Sequence, residues 1–69
     1  MTEAEKTLAK AACEDAFKQQ IATVFGTLAT AFSLATTDEA KRDALQRAER
    51  GVARSVDLLH GMLGIVNTA

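Results

Sequence analysis

Apolar residues recur at spacings of three and four along two long stretches, with Thr36-Thr37-Asp38-Glu39 between them and no proline anywhere. That period belongs to helices that bury one side. Two such stretches joined by one short polar break leave little choice of fold. The chain is expected to be all-α, an antiparallel two-helix hairpin with a helix over about 3–35, a turn at 36–37 and a helix over 38–66. Alanine, leucine, glutamate and lysine are abundant and favour helix throughout. A lone hairpin gives each helix only one neighbour, so some apolar surface is expected to meet something outside it.

In the first stretch Cys13, Phe17, Ile21, Val24, Phe25, Leu28, Phe32 and Ala35 form the stripe, which holds all three phenylalanines. At about 100° per residue they fall within roughly 120° of the helix circumference. The second stretch repeats the pattern with Leu45, Ala48, Val52, Val56, Leu59, Leu63 and Val66. Thr36, with Glu39 three residues on, fits a capping box, and replacing Thr36 with alanine is expected to cost about 1 kcal/mol. Asp38 and Glu39 suit the positive end of the second helix. An antiparallel pairing puts Phe25 near Arg47 or Ala48, Phe17 near Val56, and Cys13 near Leu59 or His60. Asn67 to Ala69 are expected to fray.

Size sharpens the problem of the missing neighbour. With 69 residues the chain has room for one domain, and a chain this small buries only about 60% of its unfolded surface. Small chains make up such a deficit with disulfides, a metal or association. One cysteine allows no internal disulfide, and one histidine beside it makes a poor zinc set. Association remains, and a homodimeric four-helix bundle is the expected form. Its core would draw on Phe17, Ile21, Val24, Phe25, Leu28, Phe32, Val52, Val56, Leu59, Met62 and Leu63.

Charge and composition exclude several functions. Eight basic and nine acidic residues give a net charge of −1, which argues against affinity built on many phosphate contacts. The opening MTEAEKTLAK is charged where a signal peptide would become apolar. A single free thiol suits a reducing cytoplasm. Gln19 to Thr37 is uncharged but carries six Ser/Thr and two Gln, too polar for a span of about 20 apolar residues. No membrane role and no cofactor are expected.

Catalysis is not expected either. Cys13 and His60 approach one another in the antiparallel pairing, but a thiolate–imidazolium pair needs an orienting group and an oxyanion hole, and a hairpin has no cleft for them. Cys13 reads as a small apolar residue. Glu14 and Asp15 are adjacent in sequence and point to different sides of the helix.

Two further surfaces carry information. Leu58, Met62 and Ile65 form an apolar wing beside the second stripe, and the far side of the first helix holds Ala22, Gly26, Thr27, Thr30 and Ser33 without charge. Glycine at position 26 costs about 1 kcal/mol in a helix interior, and it is either simply tolerated in a long helix or offset by close approach of another backbone. Opposite the second stripe, Asp43, Arg47, Arg50, Arg54, Leu58 and Ile65 share one side. Two readings fit that side: a solvated face with Asp43–Arg47 and Arg54–Asp57 pairs, or a partner contact formed by Arg47, Arg50, Arg54, Leu58 and Ile65. Arginine beside exposed aliphatic residues is the composition of interface hot spots.

In length and helix pattern the whole chain resembles the small phage- or plasmid-encoded anti-quorum-sensing antiactivators, two-helix hairpin dimers that bind LuxR-type transcription regulators. The resemblance implies a non-enzymatic inhibitor or adaptor that sequesters a host regulator through helix faces, occluding its DNA-binding region. It carries no residue over by position. A second likeness lies in Met1-Thr2 and Glu5-Lys6-Thr7, similar to the start of the dimeric RNA-binding hairpin Rop. That likeness implies RNA binding by the first helix, whose basic residues are Lys6, Lys10 and Lys18. A structural subunit that polymerises through its apolar faces is the third reading.

Overall fold

The computed structural model describes residues 1–68, which form two helices, α1 (Glu3–Leu34) and α2 (Asp38–Thr68). They run antiparallel as a hairpin, as the two apolar periods require. α1 opens on a capping box: the Thr2 hydroxyl accepts from the Glu5 N–H at 3.1 Å, and the Glu5 carboxylate accepts from the Thr2 N–H at 3.0 Å. The spacing of Thr36 and Glu39 predicts a box at the other helix instead. There Thr37, not Thr36, is the cap: its hydroxyl accepts from the Ala40 N–H at 3.0 Å and its carbonyl from the Lys41 N–H at 3.1 Å. Three residues beyond Thr37 stands alanine, so no carboxylate reaches back to complete a box.

The one-residue displacement has a local cause. α1 stops at Leu34, and Ala35 turns extended (φ −72°, ψ 128°) while its N–H still reaches the Ala31 and Phe32 carbonyls. The chain then spends Ala35 to Thr37 on the reversal, and Thr37 is the first hydroxyl aligned with the new helix. No described residue needs a positive φ to make this turn. At the far end α2 stays helical through Asn67 and Thr68, whose hydroxyl donates to the Gly64 carbonyl. The fraying expected of Asn67 and Thr68 is not seen, and Ala69 lies outside the described residues.

What packs between the helices is small. Ala44, Ser55 and Val66 are the buried residues, at 7%, 6% and 7% exposure. They lie eleven residues apart, three turns, and so fall in line along α2. Between them sits Gly51, where an added Cβ would stand 3.0 Å from a Val24 methyl. Gly51 is the close approach in the hairpin, while Gly26 has no such neighbour within 4 Å. The Ser55 hydroxyl donates to the Gly51 carbonyl at 2.9 Å, so its burial strands no donor.

The seam is therefore rotated from the stripe of large residues. Large side chains define the period, but small ones let two backbones meet, and the large ones move to the flank. Phe25, Phe32 and Leu45 accordingly remain 55%, 40% and 45% exposed. Apolarity on α1 is spread around its circumference rather than gathered, because Leu8 and Leu34 stand far outside the stripe, and no α1 residue is buried. The hairpin spans 53 × 15 × 6 Å with a radius of gyration of 16.0 Å. A compact chain of this length has a radius near 11 Å. This is a single layer of helices with neither broad side covered.

Candidate protein-binding surface

The flat hairpin has two broad sides of different chemistry. One is aromatic and aliphatic. Phe25, Leu28, Leu45 and Val52 line a shallow depression between the helices there, and helical phase places Phe17, Ile21 and Phe32 of α1 and Val56, Leu59 and Leu63 of α2 on the same side. Charge is sparse here: Lys41 places its ammonium 5.8 Å from the Phe32 ring centroid, and Glu49 borders the depression.

The opposite side carries a groove of about 360 Å³ between the helices near the turn. Small seam residues, Ala31, Ala44 and Ala48, make its floor, with Thr23, Thr27 and Leu34 on one wall and Asp43 and Arg47 on the other. Farther from the turn Arg54 and Leu58 face Gln19, Gln20 and Thr23 across Gly51 and Ser55. Around the outer edge of α2, Arg50, Arg54, Asp57, Leu58, Met62 and Ile65 share an open depression.

Of the five residues expected to bind a partner, Arg50, Arg54, Leu58 and Ile65 come together in that outer depression. Arg47 stands apart, on the groove wall, where its Nε donates to Asp43 Oδ2 at 3.1 Å. The expected Arg54–Asp57 pair does not form. Asp43–Arg47 is the one ion pair among the described residues, so Arg50 and Arg54 have no carboxylate partner. Leu58 and Ile65 are 48% and 70% exposed beside them. Met62, assigned to the core by sequence, is half-buried and lines the depression as well.

The uncharged far side of α1 is less polar than its composition suggests. Thr23, Thr30 and Ser33 turn their hydroxyls back onto the Gln19, Gly26 and Ala29 carbonyls of their own helix. Those donors are spent locally, which leaves Thr23 and Thr30 methyl groups for contact. Composition alone carried no signal that Thr23 and Thr27 wall a groove; the seam had to be located first.

Elsewhere the chemistry is thin. Cys13 is half-buried. Among the described residues, no three or more His, Cys, Asp or Glu side chains gather as a metal site, and no helix is long and apolar enough to cross a membrane. Lys6 is half-buried, while Lys10 and Lys18 stand exposed with Glu14 one turn from each, so the basic residues of α1 make no continuous stripe. Glu5 has its carboxyl pKa lowered, first by the hydrogen bond from the Thr2 backbone and then by the Thr2 side chain. The fold and its surfaces define an all-α helical hairpin with exposed apolar residues on both helices. No protein-family model matches the chain, nor does any curated protein or solved structure.

Proposed function

We propose that the protein is a non-enzymatic inhibitor or adaptor that works as a homodimer and holds another protein against the outer edge of α2. The observation that supports this reading is the depression in which Arg50 and Arg54, without carboxylate partners, stand beside exposed Leu58 and Ile65. Arginine next to desolvatable aliphatic surface is what protein interfaces select, and amphipathic helices are read by such surfaces. The resemblance to antiactivators supplies the target class, a host transcription regulator of the LuxR type met in the host cytoplasm. Action would be stoichiometric: the bound hairpin covers the regulator's DNA-binding region, and promoter recognition stops.

The test is capture from nuclease-treated bacterial lysate on the immobilised tagged protein, with mass spectrometry of what is retained. One transcription regulator at stoichiometric amount is expected, and Arg54→Glu with Leu58→Asp should abolish its capture while helicity is kept. Undiminished capture by the double variant would remove this surface. An empty eluate, with RNA retained only when nuclease is omitted, would move the function to RNA binding.

A further inference from the structure

We infer that the aromatic side of the hairpin is closed by the same side of a second copy of this chain, leaving the arginine depression free on the outside of each copy. The inference rests on the proposed homodimer and deepens it by naming the surface that makes it. Three observations carry it.

The hairpin is one helix thick, 6 Å through its Cα envelope, so none of the described residues covers that side. Its accessible surface is 5145 Å², whereas a compact monomer of this mass exposes about 4,200 Å². The excess, roughly 1,000 Å² per copy, is more than the ~800 Å² that each partner contributes to a standard interface. The third observation selects the side. A two-fold dimer apposes one patch with itself, and the side with Arg50 and Arg54, neither of them in an ion pair, would then set like charges together. Around the shallow depression of Phe25, Leu28, Leu45 and Val52 the one charged residue is Glu49 at the border, and aromatic residues gain from meeting each other. Face-to-face closure gives a two-layer, four-helix body. It presents two arginine depressions, so each dimer holds two partner molecules.

Sedimentation equilibrium on the intact chain tests this with Phe25→Lys on the aromatic side and Leu34→Lys, at a position 76% exposed on the opposite side. The wild-type mass should be twice 7.3 kDa. Phe25→Lys should weaken dimerisation at least about thirtyfold, the scale of a central hot spot, and Leu34→Lys should leave it unchanged. Because Phe25→Lys can also unfold the chain, a second readout uses a nitroxide on Glu49→Cys in a Cys13→Ser background, mixed with isotope-labelled chain lacking the nitroxide. Broadening of the Ile21 and Val52 methyl signals, with Leu34 spared, is the expected pattern. A 7.3 kDa species, assemblies beyond the dimer, broadening centred on Leu34, or dimer loss in Leu34→Lys alone would each overturn the inference. Arg54→Glu with Leu58→Asp should stay dimeric whether or not a partner is captured, so failure of the capture reading and failure of this one are separately visible.

Discussion

Alanine placed at Gly51 and at Gly26 should affect stability differently, although both glycines lie in helix interiors. In a helix, alanine is favoured over glycine by about 1 kcal/mol. At Gly26 the new methyl group meets nothing within 4 Å, so the gain should appear nearly whole. At Gly51 the added carbon would lie 3.0 Å and 3.4 Å from the two methyl groups of Val24, against an ordinary carbon–carbon contact of about 3.5–4.0 Å. Val24 is β-branched and held to one rotamer in a helix, so the helices themselves must part by roughly 0.5 Å. A gap of that size forfeits about a quarter of each contact along the seam, and overpacking of this kind costs about 1–3 kcal/mol. Gly51→Ala should therefore fall about 1–3 kcal/mol below Gly26→Ala. Thermal unfolding followed by circular dichroism at one fixed protein concentration resolves this, since 1 kcal/mol moves the midpoint by about 4–8 °C in a chain of this size. Equal stabilisation by both substitutions would refute the close seam at Gly51. Destabilisation at Gly26 would instead locate another backbone against that residue.

The turn offers a paired test. Thr37→Ala should cost about 1 kcal/mol in urea unfolding and Thr36→Ala close to nothing, because Thr37 alone caps α2. Ser55→Ala should be neutral to slightly stabilising in the same assay, since the hydroxyl serves only the Gly51 carbonyl of its own helix and alanine is the better helix former. The capping box on α1 gives a pH dependence. With the Glu5 pKa held below its ordinary 4.5 by the Thr2 hydrogen bonds, its stabilisation is present above that value and is lost as pH falls through the lowered folded-state value. Carboxyl titration by NMR should show Thr2→Ala returning Glu5 only part of the way toward 4.5, because the backbone N–H that lowers it most is kept; an unmoved Glu5 would deny the Thr2 hydroxyl its part.

The helical hairpin was legible because α2 holds its apolar period from Leu45 to Val66 and the break at Thr36-Thr37-Asp38-Glu39 is short and polar. Large residues such as Phe25 and Leu45 dominate any count of periodicity, but Ala44, Gly51 and Ser55 determine where the helices touch, because contact distance is limited by the smallest side chains. Two adjacent threonines offered two caps, and the choice depended on where α1 released its last carbonyls, a tertiary matter that one-residue patterns do not encode. The Thr2–Glu5 box carried the same signature as Thr36–Glu39 and was open to the same rule. In the proposed contact surface, the grouping of Arg50, Arg54, Leu58 and Ile65 follows from helical spacing alone. Arg47 shares their angular position, yet it lies on the groove toward the turn with Asp43 one turn away, which detaches it from the group.

The proposed dimer would stabilise the single-layer hairpin by mass action, so the unfolding midpoint should depend on protein concentration. The most direct measurement is thermal unfolding by circular dichroism across about a hundredfold range of protein concentration. The midpoint should rise steadily with concentration, in one cooperative transition that couples helix loss to dissociation. A midpoint that stays fixed across the range, with helicity intact in the most dilute sample, would contradict it.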